Sequence, residues 1–563
     1  MVKKTEIRLP GGPLTVFVLG AVAGAVLFIL TYGSGILDVT NDTWIFRIKD
    51  VDIHQHYLGW CHFRKAPWHY PPGLFDSLSY PYEMSILWTD SIPLFALFFK
   101  FFRELLPETF QYLGIYGLLS QMLTGALSAL MIRKLTGNDY LSVLSVPFFA
   151  GSFPMLQRMF YHTSLTAHYL MIIPLLFFLY DGYTWKIGKK CALWGGYFFL
   201  AVMIHPYLWA IGAVIAGFAF VYEIIKTKDI KPAVFTGITS VVFTVLALYF
   251  MGALSGNVNM AYKLGGFGAN LNTFVNPLGL GAFLPDLPLC TPGQYEGYAY
   301  LGAGGLLLAL SGGLLFLIRL KRRMGEKRSV FKDDKYVYLW IMGILFMLMS
   351  LFPVITVNSK LLLGLKLPDA LASFLGIFRS NGRFIWPVVY LIYAGALTVI
   401  SETGDGEKRK MKALAAAVLL IACLCAQFGD MEPEMAARKE RFNEDLTPWH
   451  SDLDNRALLH ERGKYKHIVL VTKDSWIMER SAYFAALNDL TVNRYYFARD
   501  VEKEINDKLE EYHELCRRGE APEDTIFVFD EETMEEWRDT PLHFYDLTGT
   551  IVGIPEEIAW EEM

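Results

Sequence analysis

Charge is scarce in this sequence: 19% of its 563 residues are Asp, Glu, Lys or Arg against 53% hydrophobic, and the mean hydropathy is +0.31. That balance excludes a water-soluble multidomain protein and points to an integral membrane protein. Cysteine is scarce too. The six present (Cys61, Cys191, Cys290, Cys423, Cys425, Cys516) show no CxxC spacing, which argues against thiolate metal centres and dithiol redox chemistry. There is no phosphate loop, no dinucleotide fingerprint after a strand and no long low-complexity region, so nothing points to use of a nucleotide. The Gly pairs in "LGAGGLLLALSGGLL" lie inside an apolar run, where they serve close helix packing.

What is abundant is long apolar runs. Pro13 to Tyr32 carries no charge and runs about 20 residues, enough to cross a ~30 Å hydrocarbon core; with no small-residue cleavage pattern behind it, it is expected to remain as an anchor. Further apolar stretches lie at 110–132, 140–157, 165–181, 191–204, 207–225, 233–253, 298–318, 336–354, 382–400 and 412–428, eleven spans with the first. Two of them, 140–157 and 191–204, are interrupted by Pro or short. Lys3, Lys4 and Arg8 precede the first span and place the N-terminus in the cytoplasm by the positive-inside rule. Later basic residues fall in alternate connections, from Arg133 and Lys134 to the run from Lys408 to Lys412. An odd number of spans then leaves the tail outside.

From Asp430 onward 33 acidic residues face 16 basic ones, a charge of −17, so residues 1–429 carry +12 of the overall −5. The acidity of the tail argues against nucleic acid or another polyanion as a partner. Its short apolar runs "HIVLVT" and "TIFVFD" flank the helical pattern "VEKEINDKLEEYHELCRR", an α/β alternation. The predicted fold is mainly α: a polytopic transmembrane bundle over 1–429 with a large first exported loop at 33–109, and a small extracytoplasmic α/β domain over 430–563. Within that loop, 91–107 clusters Lys100, Arg103 and Glu104 on one side of a helix among Phe and Leu, so it is expected to lie along the membrane surface.

The exported connections collect the groups that could do chemistry. The first loop supplies Asp52, His54, His56 and Asp90; "FPMLQRMFYHTSLTAHYL" supplies Arg158, His162 and His168; "MIHPYLW" supplies His205. Gln294, Tyr295 and Glu296 come from "GQYEGYAYLG", and Arg379 and Arg383 from "FRSNGRFIWP". Carboxylates and imidazoles accept protons from hydroxyls, and guanidiniums bind phosphate bidentately. Such a set suits transfer of a group from a lipid-anchored phosphate donor, with Asp52 as base, Asp90 or Glu296 positioning a substrate, and the arginines and His162 on the phosphate. Each position has a plainer reading. Asp90 could cap the helix that follows it, Glu296 could pair with a nearby Arg, and His162, His168 and His205 could be satisfied at the ends of spans. No metal ligand set is assigned, since Asp52, His54 and His56 lack a defined further partner; a divalent metal is left open. A lipid or polysaccharide transporter would show inverted repeats and polar groups at mid-membrane, which these spans lack. A non-catalytic envelope-assembly partner, working through its acidic tail, is the remaining alternative.

The runs "DIHQHYLGWCHFRKAPWHYPPG", "TDSIPLFALFFK", "FQYLGIYG", "HPYLW", "GQYEGYAYLG" and "FRSNGRFIWP" resemble a family of bacterial polytopic membrane proteins described only as a domain of unknown function. The architecture of that family is similar to the GT-C superfamily of glycosyltransferases. The resemblance implies a polyprenyl-phosphate-linked sugar donor, a glycan, lipid or protein acceptor of the cell envelope, contact with membrane lipids, and an acidic residue of the first exported loop at the reaction centre. By position that acid falls on Asp52. Ile53 stands beside it, so there is no adjacent acidic pair.

Overall fold

The computed structural model describes residues 7–48, 51–255, 264–325, 334–402, 409–444, 451, 453–454, 458, 463–497 and 502–557. Lys3, Lys4, Lys408 and the stretch 326–333, part of the charge pattern behind the expected topology, lie outside them. In chain order the helices are α1 (Gly12–Tyr32), α2 (Val51–Lys65), α3 (Pro93–Phe101), α4 (Leu113–Thr136), α5 (Asp139–Leu144), α6 (Val146–Ala150), α7 (Phe153–Arg158), α8 (Tyr169–Leu179), α9 (Ile187–Ile204) and α10 (Pro206–Thr227). There follow α11 (Lys231–Phe250), α12 (Gly302–Gly325), α13 (Lys335–Leu351), α14 (Asp369–Gly376), α15 (Trp386–Ser401), α16 (Arg409–Asn443), α17 (Ser475–Leu487), α18 (Glu502–Arg517) and α19 (Glu531–Glu536).

Eight helices among the described residues are long and apolar enough to cross a membrane, and three shorter apolar helical segments accompany them, so the protein is a multi-pass membrane protein. All eleven apolar stretches of the sequence are helical. The stretch 140–157 is broken into α5, α6 and α7, with a proline at the start of both α6 and α7. The stretch taken as short, 191–204, begins earlier at Ile187 as α9, which buries Lys190 against Glu223 of α10.

Contacts divide the chain into two units: Met1–Val39, Leu113–Thr244 and Met260–Glu444 in one, Thr40–Tyr112, Val245–Asn259 and Asp445–Met563 in the other. This differs from a boundary at 429/430 in two ways. The helix α16 runs unbroken through that point, and the first exported loop groups with the tail rather than with the bundle.

In the first unit, small residues set the helix spacing. A Cβ on Gly24 of α1 would stand 2.4 Å from the Gln121 carbonyl oxygen of α4, and one on Gly125 of α4 would stand 2.4 Å from that of Gly20. The two backbones therefore touch, the packing that small residues four apart permit in a membrane. The glycine pairs of α12 act in the same way: Gly304 faces the Cys423 carbonyl of α16, and Gly312 faces Ala396 of α15.

The second unit is built on a five-stranded sheet of β5 (His467–Leu470), β6 (Thr491–Val492), β7 (Thr525–Phe529), β8 (His543–Leu547) and β9 (Thr550–Ile554), after the short hairpins β1–β2 (Leu74–Phe75, Met84–Ser85) and β3–β4 (Val354–Val357, Lys360–Gly364), the latter in the first unit. Strand order is β6-β5-β7-β9-β8, with β5 parallel to β6 and β7 and the remaining pairs antiparallel. Every residue of β7 and β9 is buried, which explains their unbroken apolar sequence. The edge strand β6 is covered by the first loop: Tyr80 N–H donates to the Val492 carbonyl at 2.8 Å and Val492 N–H to that of Ser77 at 2.9 Å. That pairing is why loop and tail form one unit.

Candidate functional site

In the first unit the site begins with two short 3-10 helices, Pro292–Gly297 and Asn381–Ile385, from the runs "GQYEG" and "NGRFI". They meet backbone to backbone. A Cβ on Gly382 would lie 2.6 Å from the Gly297 Cα, and one on Gly297 would lie 2.4 Å from the Ala269 Cα. Only glycine fits that approach, and it sets Glu296 beside Arg383.

Arg383 Nε donates to Glu296 Oε2 and Nη2 to Oε1, both at 2.8 Å. Arg158, the last residue of α7, donates from Nη2 to the same Oε2 at 2.5 Å. All three side chains are buried. Arg383 also lies over the Tyr207 ring at 4.4 Å, and Arg158 over Tyr295 at 5.5 Å and Trp386 at 5.8 Å. Burial pushes the Glu296 carboxyl up, but Arg158 and then Arg383 outweigh it and hold the group well below the usual carboxylate range. Of the two readings of Glu296, the geometry has the arginine pair: an ionised carboxylate that anchors two guanidiniums has no proton to donate near neutral pH.

Histidines gather in this unit as well. His162 and His205 have ring centroids 5.6 Å apart. His205 Nδ1 accepts from Tyr207 N–H at 3.1 Å and so caps α10, whose first residue is Pro206. His168 is buried, its Nδ1 2.6 Å from the Tyr390 hydroxyl and its ring 5.1 Å from that of Trp386. Gln294 is structural: its Oε1 accepts from Asn270 Nδ2 and Cys290 N–H, both at 3.0 Å, and its Nε2 donates to Thr356 Oγ1 at 2.6 Å. Tyr295, by contrast, is 42% exposed, and Arg379 is half-buried over the Phe267 ring. These two retain surface for a substrate.

Asp52, His54, His56 and Asp90 belong to the second unit. The run "DIHQHYLGW", treated as loop in the sequence, forms α2, and Asp52 lies in its first turn, where the helix dipole favours a carboxylate. His56 sits one turn on, on the same side of the helix, and is buried. The His54 ring is held by the protein itself. Its Nδ1 is 2.9 Å from Glu479 Oε2 of α17 and its Nε2 3.2 Å from the Ile45 carbonyl, so both ring nitrogens are engaged. The side chain of Gln55 donates to the carbonyls of Trp88 and Tyr496. Asp90 does not cap α3, whose N-cap is Ile92. It ends the 3-10 helix Ile86–Thr89 with a left-handed backbone, φ 51°.

The sequence reading missed Tyr207 and Trp386 around the arginines, Tyr390 beside His168, and Glu479 behind His54. Trp386 and Tyr390 had a signal, being one turn apart at the start of a span directly after "NGRFI"; Glu479, one acid among many in the tail, had none.

No curated protein matches this sequence. Among solved structures the chain is similar to the archaeal oligosaccharyltransferase AglB from Archaeoglobus fulgidus, in complex with an inhibitory peptide and a dolichol-phosphate. The TM-score is 0.45 and the identity 12%, over 97% of this chain and 74% of that one. Residues 21–432 match a domain of unknown function, DUF6311, and residues 456–555 match the DUF6311 C-terminal domain. With most of its length matched in this way, the chain belongs to the DUF6311 family.

Proposed function

We propose that the protein is a membrane glycosyltransferase that moves a sugar from a polyprenyl-phosphate-linked donor to an envelope glycan, lipid or protein acceptor on the extracytoplasmic face. The observation that carries this reading is the buried Arg158–Glu296–Arg383 cluster beside the starts of α12 and α15. Its three groups sum to one positive charge, held rigid by the shared carboxylate and placed at the ends of apolar helices, the level at which a lipid-borne phosphate lies. Guanidiniums fixed before the reaction stabilise charge that develops on a leaving phosphate.

The acceptor hydroxyl oxygen forms a bond to the anomeric carbon as the bond from that carbon to the phosphate oxygen breaks. The electron pair departs with the phosphate towards Arg158 and Arg383. Asp52, assigned from its place in the first loop, takes the hydroxyl proton, and Asp90 positions the acceptor. Tyr295, Arg379 and His162 are assigned to the donor. Glu296 holds the arginines in place and no longer figures as an acid.

The test uses full-length protein in proteoliposomes with a polyprenyl-phosphate-linked sugar, together with mass spectrometry of lipid-linked sugars and envelope polymers from cells lacking the protein. Asp52→Asn should lower turnover by roughly 10²–10⁴-fold with donor binding retained, the range general base catalysis supplies. Arg383→Lys should weaken donor binding. Unchanged glycan profiles in Asp52→Ala and Arg383→Ala cells that express the protein normally would overturn the reading. A defect confined to deletion of the tail would assign the protein to envelope assembly instead.

A further inference from the structure

The first unit contains a cavity of about 440 Å³ that none of this chemistry uses. It lies among α12, α13 and α15, with α4 and α8 completing the wall, which is apolar except at one end, where Arg319, Tyr336, Thr398 and Glu402 close it. Arg319 forms the closure by donating to the carbonyls of Val399 and Glu402 and to Glu402 Oε2. The Glu296 cluster is near the N-terminal starts of α12 and α15, whereas this end is at their C-termini. The cavity is therefore polar at the end away from the arginine site.

Glycines make the space. A Cβ on Gly313 of α12 or Gly395 of α15 would meet nothing within 4 Å, and both residues line the cavity while remaining exposed. Trp340 and Ile344 of α13 line the cavity and are exposed, and so are Leu314 and Leu317 of α12, next in sequence to the lining residues Gly313 and Phe316, on helices long or apolar enough to lie in a membrane. From Val388 to Val399 the α15 wall rises about 16 Å at about 1.5 Å per residue. That is close to half of a ~30 Å hydrocarbon core, the depth of one leaflet. Beyond the Arg319 closure, α12 presents Lys321 and Arg322, both exposed.

We infer that this groove holds one acyl tail of an anionic glycerophospholipid, whose phosphate lies at Lys321 and Arg322. The length of the groove suits a single-leaflet tail, its wall suits hydrocarbon, and the basic residues at its closed end suit an anionic headgroup. This lipid is distinct from the sugar donor, since its phosphate lies at the opposite ends of α12 and α15 from Arg158 and Arg383.

Native mass spectrometry and lipid extraction of full-length protein purified in mild detergent provide the test. Wild type should retain about one phosphatidylglycerol-class lipid per chain. A Gly313→Leu, Gly395→Leu double variant should lose it, and Lys321→Gln with Arg322→Gln should lose the preference over phosphatidylethanolamine. Retention of the lipid by the double-leucine variant would overturn the assignment, as would recovery of a polyprenyl phosphate in its place. If that variant does not fold, delipidated wild type decides: added phosphatidylglycerol should raise its Tm saturably and phosphatidylethanolamine much less, and no shift with either would refute the site.

Discussion

Arg383 holds Glu296 as a two-pronged fork, Nε to Oε2 and Nη2 to Oε1, while Arg158 shares Oε2. The carboxylate is thus the common counter-charge of two buried guanidiniums. Glu296→Gln removes that charge and leaves both cations facing a neutral amide, which costs about 3–5 kcal/mol when a buried pair is broken. Arg383→Lys keeps a cation but loses the fork and the planar contact with Tyr207. The thermal unfolding midpoint in detergent should therefore fall in the order wild type, Arg383→Lys, Glu296→Gln. A Glu296→Gln protein as stable as wild type would mean that the cluster does not hold the fold at this point.

The contact between α1 and α4 makes a second test. At Gly24 any side chain meets the Gln121 carbonyl oxygen, backbone that cannot rotate away, so Gly24→Leu must separate the helices. Overpacking of this kind costs about 1–3 kcal/mol or more. Gly217→Leu on α10, where a Cβ meets nothing, is the control and should leave stability unchanged. Unfolding followed with a thiol-reactive dye would compare the two, and equal midpoints would rule out backbone contact between α1 and α4.

The helices were legible because a bilayer demands long runs without charge, a signal that needs no knowledge of neighbours. The candidate residues were legible singly, but not their partners. Glu296 meets Arg383 only because Gly297 and Gly382 touch, and nothing local in either run says that they do. The run "IHQHYLGW" drew attention for its residue types, yet its helical state was hidden. Every residue from Ile53 to Trp60 is buried, so polar and apolar positions show no helical period. Two of its polar side chains find partners in the tail, His54 at Glu479 and Gln55 at the Tyr496 carbonyl, hundreds of residues away in sequence.

Lys100 shows the same limit and yields a third prediction. The helical pattern groups it with Arg103 and Glu104 towards the membrane surface, but in α3 it turns inward, 3.9 Å from the Phe63 ring centre and 3.2 Å from the Pro67 carbonyl oxygen. The face left exposed carries Phe98 and Phe101. Burial, with Arg103 nearby, lowers the amine from 10.5 to about 7. The unfolded chain then takes up this proton first as pH falls. The stabilisation is complete above about pH 10.5 and is lost on descending through pH 7. Lys100→Met should raise the Tm at pH 7 and flatten its rise between pH 7 and 9.5; a variant with the wild-type slope would place the charge elsewhere.

His62 gives a pH dependence in a different window. Its Nε2 lies 2.9 Å from the Ala482 carbonyl of α17, and burial lowers its pKa from 6.5 to about 4, against the opposing pull of that carbonyl. The imidazole is therefore neutral in the fold at neutral pH, and the unfolded chain binds the proton more readily. Stability from this group is complete above pH 6.5 and falls away as pH drops towards 4, by about 3 kcal/mol in all at 1.36 kcal/mol per unit. His62→Gln can still donate to Ala482 but cannot take up a proton. Its Tm should vary less than that of wild type between pH 6.5 and 4, with the two converging at the acid end. If wild type and variant lose stability in parallel across that range, the acid sensitivity of the protein arises from other groups, and the α2–α17 contact is not where it is set.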